Sequence, residues 1–126
     1  ERSLTHPKIT TYFDWNLKEE SFHGKTWSTQ CDEIIESLSN DVYISFDIDG
    51  LIPNLCPNTG TPVAGGFTLE QLSFLIFKLV DSGRKIIGFD LNEVSPGSSG
   101  DWDANVGARA LWQLVCATEL SRRKSC

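Results

Sequence analysis

From residue 42 onward, strand-like and helix-like segments alternate, and this order constrains the fold more than any other feature of the sequence. Segments 42–49 and 85–94 are rich in β-branched and aromatic residues, which favour strands. Segments 69–82 and 103–120 carry apolar residues at helical spacing. Because parallel strands are joined by long crossovers, this alternation predicts an α/β fold with a mainly parallel sheet and helices on both of its faces.

Local signals predict where several segments begin and end. Thr68 and Gln71 have the spacing of a capping box, which predicts a helix that begins at residue 69. Gly83 predicts the end of that helix, because glycine tolerates the left-handed conformation that often follows a helix. Nearer the N-terminus, KITTYF (8–13) predicts a short strand, and the segment 27–39 predicts a further helix.

Length and charge limit the classes of protein that this sequence can encode. A chain of 126 residues forms at most one domain, and its 40% hydrophobic content is typical of a folded protein. The net charge of -6 argues against a nucleic-acid partner, because phosphate contacts require a basic patch. No apolar run approaches the length of a membrane span, so we expect no membrane partner.

The cysteines indicate a reducing compartment. Their spacing is irregular and includes no CxxC pair, so neither a zinc knuckle nor a disulfide framework is predicted. We expect free thiols and a cytoplasmic location. The cysteines are Cys31, Cys56, Cys116 and Cys126.

Acidic residues collect at the ends of the two predicted strands. Asp47 and Asp49 close the first strand, and Asp90 and Glu93 close the next one. In a strand, residues two apart point to the same side, so Asp47 and Asp49 are expected to project together, roughly 6–7 Å apart. Two such carboxylates either share a hard divalent cation or cap the following loop through its backbone N–H groups. Both interpretations remain open at this point.

Two other motifs compete with a metal site. DIDG (47–50) has the first residues of the nucleophile loop of haloacid-dehalogenase-type phosphatases, but that loop continues with threonine, whereas here Leu51 follows. DWDANVG (101–107) begins like an EF-hand calcium loop, but its glycine is one position late and Trp112 replaces the last glutamate. We therefore reject the calcium loop and keep the phosphatase as an alternative.

Three motifs taken together resemble the C-terminal part of the ureohydrolases, the arginase, agmatinase and formiminoglutamase family. The first is the SFDIDG strand end with its following proline, the second is TGTP-x-x-GG, and the third is the DLNEVSP strand end. The matching residues are Ser45, Phe46, Asp47, Ile48, Asp49, Pro53, Thr59, Gly60, Thr61, Pro62, Gly65, Gly66, Asp90, Leu91, Glu93, Val94 and Pro96.

The resemblance implies a role for individual residues. Asp47 corresponds to the aspartate that bridges two manganese ions, and Asp49 to the aspartate that binds one of them. Glu93 corresponds to the catalytic, substrate-binding glutamate that pairs with the guanidinium group. Thr61 is a second substrate-binding candidate, and Asp90 is expected to be structural. In that family, water activated by the metal pair attacks the guanidinium carbon, and urea and an amine are released.

The resemblance also implies that residues 1–126 are the C-terminal part of a single ureohydrolase domain, an arginase-like three-layer α/β/α sandwich that lacks its N-terminal side. The family's remaining metal ligands lie in GGDH-like and DxHxD-like segments, whereas here His6 and His23 are expected at the surface. We expect the chain alone to be inactive and prone to associate through an exposed sheet edge.

For the complete enzyme, the resemblance implies agmatine or arginine as the guanidino substrate, with other guanidino acids and formiminoglutamate as alternatives, and a homotrimer or homohexamer as the assembly. The alternative at the level of function is a non-catalytic ureohydrolase-like scaffold.

Overall fold

The computed structural model describes residues 6–97 and 100–124, which belong to two structural units divided between Leu38 and Ser39. The described part of the first unit contains helices α1 (Asp14–Phe22) and α2 (Trp27–Glu36). The second unit contains β1 (Asp41–Asp47), a 3-10 helix (Ile48–Gly50), α3 (Leu69–Asp81), β2 (Lys85–Asn92) and α4 (Trp102–Lys124).

A buried hydrogen bond joins the two helices of the first unit. The α2 helix begins after Thr26, whose side chain accepts a hydrogen bond from Thr29 N at 3.2 Å. One turn into α2, the buried Gln30 donates from Nε2 to Leu17 O of α1 at 2.6 Å. Ile35 is also buried, so α2 contributes an apolar stripe and one satisfied amide to this small core.

The prediction for the chain before α2 is wrong in two ways. Residues 8–13 form no strand, and the apolar side chains of Ile9 and Phe13 remain 48% and 50% exposed. Strand propensity takes effect only when a neighbouring strand supplies partners, and none lies in the described part of the first unit. Helix α1 was not predicted because its apolar residues lack helical periodicity, and Leu17 is its one buried residue.

The sheet of the second unit is parallel, as predicted. β1 pairs with β2 in a register that places Ser45 opposite Asp90 and Asp47 opposite Asn92. The carboxyl ends of both strands therefore lie at one edge of the sheet. The α/β class and the parallel sheet are confirmed, although both strands end two residues earlier than predicted.

Helix α3 confirms the predicted capping signals. Thr68 Oγ1 accepts from Gln71 N at 3.2 Å, and Gln71 Oε1 accepts from Thr68 N at 2.9 Å, which completes the capping box. At the other end, Gly83 has φ +83°, the left-handed conformation that its position requires. The predicted helix 69–82 therefore differs from the observed one by a single residue at its end.

Helix α4 packs against both α3 and β2. Its buried residues recur every three or four positions, and Ser121 on the same stripe accepts a hydrogen bond from Ile86 N at 3.0 Å. Because α4 is continuous from Trp102, residues 101–107 form no calcium loop, as predicted. Within the described residues, neither α4 nor any other helix is both long and apolar enough to cross a membrane. The buried apolar residues of α4 are Val106, Ala110, Leu114 and Ala117.

Candidate functional site

The chain turns sharply where β1 ends. Asp47 is the last residue of β1, and its Oδ1 accepts a hydrogen bond from Asp49 N at 3.1 Å. This bond caps the 3-10 helix Ile48–Gly50, and the side chain of Ile48 is fully buried. The prediction that one strand carries both Asp47 and Asp49 is therefore wrong. Strand pairing stops at Asp47, and the side chain of Asp47 itself starts the turn that carries Asp49.

The long loop after this turn is closed at its base by backbone contacts. Leu51 forms a parallel bridge with Phe67, and Phe67 N donates to Gly50 O at 3.0 Å. Gly66 has φ +91°, and a Cβ atom at this position would lie 2.7 Å from the backbone of Leu51. Only glycine fits here, because both the conformation and the space exclude a side chain.

The TGTP segment of this loop connects the ends of both strands. Thr61 Oγ1 donates to Asp49 Oδ2 at 2.9 Å, beside the end of β1. Thr59, which is buried, donates from Oγ1 to Glu93 O at 3.2 Å, just past the end of β2. A Cβ atom on Gly60 would lie 3.2 Å from Glu93 Oε2, so the carboxylate of Glu93 lies against this glycine. The three predicted motifs therefore meet in one place.

Glu93 has an unusual backbone conformation. Its φ is +60°, the one positive value among the non-glycine residues that the structure describes. A left-handed conformation costs a residue with a side chain roughly 1–2 kcal/mol. The hydrogen bond from Thr59 Oγ1 to Glu93 O helps to hold this conformation. Strain of this kind is concentrated at functional sites, which singles out the predicted substrate-binding residue.

Asp90 belongs to a hydrogen-bonded group on β1 and β2. Its Oδ1 accepts from Ser45 Oγ at 2.9 Å and also from Asn92 Nδ2. The bond from Ser45 is the main reason why the pKa of Asp90 lies below its ordinary value, and hydrogen bonds from Tyr43 and Asn92 lower this pKa further. The pKa of Tyr43 is raised, chiefly by the same bond to Asp90. These contacts join neighbouring strands, in agreement with the structural role expected for Asp90.

The lowered pKa of Asp90 predicts how the stability of the fold changes at low pH. Because its folded-state pKa lies below the unfolded value, ionised Asp90 stabilises the fold above the ordinary value of 3.8. That contribution is lost as the pH falls through the folded-state pKa. Ser45→Ala is expected to raise the pKa of Asp90, measured by NMR titration of its carboxyl carbon. Ser39→Ala is the control, since Ser39 donates to Asp41 O instead. An unchanged Asp90 titration in Ser45→Ala would contradict the assignment.

Cys56 is a buried residue of the loop, and nearby carboxylates affect the pKa of its thiol. Its side chain is fully buried, and burial is the main cause of the raised pKa of its thiol. The negative charges of Asp103, Asp49 and Asp47 raise this pKa further. Cys56 is therefore a packed thiol rather than a nucleophile. Cys31, Cys56 and Cys116 are free thiols, as predicted, whereas Cys126 lies outside the described residues.

The donor chemistry of Asp47 and Asp49 fits a hard cation such as manganese, which prefers carboxylate oxygens. Their hydrogen bonds occupy Oδ1 of Asp47 and Oδ2 of Asp49. Residues 6–97 and 100–124 contain no cluster of three or more His, Cys, Asp or Glu side chains that could hold a metal ion. His6 and His23 are exposed, as predicted. The aspartate pair is thus a suitable but incomplete ligand set.

A buried carboxylate beneath the TGTP segment was not predicted to take part in the site. Asp103 of α4 is fully buried and accepts two hydrogen bonds from Asn58, which directly precedes the TGTP residues. In the sequence, Asp103 belongs to the DWD tripeptide at 101–103, and nothing in this tripeptide indicates which of its aspartates is buried.

The fold and this geometry define a class: an α/β protein whose acidic residues follow neighbouring strands of a parallel sheet, where such folds bind ligands. The model of the arginase family matches residues 8–117, and the chain belongs to that family.

The relatives of this chain include enzymes that act on guanidino compounds, as their names state. The chain is 36% identical over 114 residues to guanidinobutyrase of Pseudomonas aeruginosa, covering 82% of this chain and 35% of that protein. It is 40% identical over 80 residues to N(1)-aminopropylagmatine ureohydrolase of Thermus thermophilus, covering 64% of this chain and 26% of that protein. The chain thus spans about a quarter to a third of these relatives.

Solved structures support the same fold. A crystal structure of a hypothetical agmatinase from Burkholderia thailandensis matches with a TM-score of 0.67 and 29% identity. The match covers 94% of this chain and 39% of that one. The crystal structure of agmatine ureohydrolase of Thermoplasma volcanium matches with a TM-score of 0.62. The expected arginase-like α/β fold is confirmed.

Proposed function

We propose that this chain supplies part of the active site of a binuclear-manganese ureohydrolase, which hydrolyses a guanidino substrate to urea and an amine. One observation carries the proposal: the TGTP segment contacts Asp49 through Thr61 and Glu93 through Thr59 and Gly60. A metal-binding pair and a guanidinium-binding carboxylate need to be close together, because the attacking water and its target carbon must meet.

Asp47 and Asp49 would hold the manganese ions together with donors from outside residues 6–97 and 100–124. Manganese, when bound, supplies Lewis acidity and lowers the pKa of water near the substrate. The task of this part of the chain is to hold the two carboxylates. The hydrogen bond from Asp49 N fixes Asp47, and the hydrogen bond from Thr61 fixes Asp49. Residues 1–126 would then be the C-terminal part of one ureohydrolase domain.

Glu93 would bind the guanidinium group of the substrate. A guanidinium is a planar cation with parallel N–H donors, which a carboxylate can accept in pairs. The Glu93 residue is exposed, and its carboxylate forms no ion pair with the described residues. Thr61 would lie beside the same group and contribute its hydroxyl. The carboxylate of Glu93 lies against Gly60, next to the residue Thr61.

Glu93→Gln is expected to reduce kcat/KM for a guanidino substrate by about a hundredfold, because the amide loses the charge that pairs with the guanidinium. Thermal stability is expected to be nearly unchanged, since the backbone conformation is retained. Glu70→Gln is the matched control, because Glu70 is an exposed glutamate on α3. Full activity of Glu93→Gln would contradict the proposed substrate contact.

The function itself is tested by a urea assay on the complete enzyme proposed above, a longer protein of which residues 1–126 would be the C-terminal part. The assay uses manganese, with agmatine and arginine as the first substrates, and metal removal by a chelator as a control. We expect manganese-dependent urea release from one of them. A protein that binds manganese but releases no urea would instead be the non-catalytic scaffold. Phosphate release from a generic phosphate ester without urea would support the phosphatase alternative.

We extend the proposal to location and assembly. Buried free thiols are compatible with a reducing, cytoplasmic environment. The outer surfaces of α3 and α4 expose large apolar side chains, among them Trp112 at 70% and Phe74 at 45%. Such surfaces are typical of packing contacts, either with the rest of the proposed domain or with another subunit. They are compatible with a homotrimer or homohexamer of the complete enzyme and with association of the isolated chain.

A further inference from the structure

The fully buried carboxylate of Asp103 lies in the first turn of α4 and directs both oxygens at one residue. Oδ2 accepts from Asn58 N at 2.9 Å, and Oδ1 accepts from Asn58 Nδ2 at 2.9 Å. The N-terminal end of the helix stabilises the negative charge. A buried charge is costly unless it is well hydrogen-bonded, so this pair is a strong structural link.

Asn58 is enclosed on a second side as well. A Cβ atom on Gly97 would lie 2.7 Å from Asn58 Nδ2, so the amide fits directly against the backbone after β2. One turn further along α4, a Cβ atom on Gly107 would lie 2.9 Å from Val94 Cγ1. The start of α4 therefore fixes the TGTP loop through Asn58 and the segment after Glu93 through Val94.

We propose that Asp103 is a positioning residue. Its hydrogen bonds to Asn58 hold the TGTP loop in the position where Thr61 contacts Asp49 and Thr59 contacts Glu93. The consequence for catalysis rests on the proposed ureohydrolase function, whereas the effect on loop geometry does not. The distance along the chain from Asn58 to Thr61 is short, so an anchor at its start restricts every later contact of the segment.

A swap of the two side chains tests this role. Asp103→Asn keeps the shape but places an amide where Asn58 presents two donors, so at least one hydrogen bond is lost. The double variant Asp103→Asn with Asn58→Asp restores both bonds: the new amide oxygen accepts from the backbone N–H of residue 58, and the new amide nitrogen donates to its carboxylate. Asp101→Asn is the matched control, because Asp101 is exposed and directly precedes α4.

The first measurement is amide hydrogen exchange and NMR of the longer protein without added manganese, and it requires no activity. In Asp103→Asn, we expect the amide of residue 58 to exchange about tenfold faster, with shifted resonances at residues 59–61 and 93. The swap is expected to reverse these changes, and Asp101→Asn to cause none. If Asp103→Asn does not fold, Asn58→Ala replaces it, since it removes only the side-chain half of the contact. Unmoved resonances in either variant, or a swap without recovery, would overturn the proposal.

The second measurement is kcat/KM for urea release by the longer protein. We expect a loss of about tenfold in Asp103→Asn and recovery in the swap. If the wild-type protein releases no urea while the NMR changes appear, the proposed function fails and the positioning role stands. If the wild-type protein releases urea but the swap does not restore the kcat/KM lost in Asp103→Asn, the positioning role is overturned and the proposed function stands.

Discussion

Asp47→Ala in the longer protein is expected to abolish manganese-dependent urea release, with a loss of about a thousandfold or more. In the proposed site, Asp47 would be one of the carboxylates that hold manganese, so its removal would weaken metal binding. Its second role adds to the loss, because Asp47 Oδ1 also holds the turn that carries Asp49. The measurement is urea release as a function of manganese concentration, together with manganese binding followed by electron paramagnetic resonance.

Asp41→Ala is the matched control for this variant. Asp41 is also an exposed aspartate of β1, but it lies at the opposite end of the strand. It loses the same charge and should leave urea release unchanged. A second variant, Asp47→Asn, separates the two roles: its amide oxygen still accepts from Asp49 N, but the negative charge is gone. If Asp47→Asn retains full activity, Asp47 is a cap only and the metal assignment is wrong.

The parts of the fold that the sequence predicted correctly are those encoded by neighbouring residues. The capping box of α3 requires only Thr68 and Gln71, and its end requires only Gly83, so local chemistry determines both. The β-branched runs of β1 and β2 also have their partners within the second unit, and their pairing followed from the crossover between them. Where every signal lies within one segment or one crossover, sequence patterns are sufficient.

The errors have two different causes, a missing strand partner and a local side-chain hydrogen bond. Residues 8–13 have strand-like composition, but a strand needs a partner, and none lies in the described part of their unit. The second error is local: the spacing of Asp47 and Asp49 predicts one continuous strand, whereas the hydrogen bond from Asp49 N to Asp47 Oδ1 begins a turn and the strand ends at Asp47. Short-range reasoning assigned the aspartates to either a metal or a cap. The structure shows that Asp47 caps the turn through Oδ1. Because this hydrogen bond involves only one of the two carboxylate oxygens, capping does not exclude metal binding through Oδ2.

Contacts between residues far apart in sequence were also missed within the site. Asn58 and Asp103 are separated by 45 positions, and no periodicity links them. Asp103 is the first residue of the segment predicted as the last helix, and nothing at that position indicates that its side chain is buried. Only the fold shows that this carboxylate is buried and faces the loop that carries Thr61.

Gly66→Ala is expected to destabilise the fold more than any other single methyl addition considered for this chain, by about 3 kcal/mol or more. Two effects add up. The residue has φ +91°, which disfavours any side chain, and the new Cβ would lie 2.7 Å from backbone atoms of Leu51. The hydrogen bond from Phe67 N to Gly50 O holds the backbone at the base of the loop, so moving these atoms aside would cost free energy.

Gly83→Ala separates these two effects, because Gly83 also has a positive φ of +83° but no atom within 4 Å of the added Cβ. It should lose only the conformational part, about 1 kcal/mol. Urea denaturation followed by circular dichroism gives both values, and the difference between them measures the clash at Leu51. Equal losses of unfolding free energy in the two variants would mean that the backbone at the base of the loop moves to accommodate the new Cβ. The TGTP segment would then have no rigid support. A larger loss in Gly66→Ala, with a matching fall in urea release by the longer protein, would show that the closed base of this loop is needed to present Thr61 to Asp49.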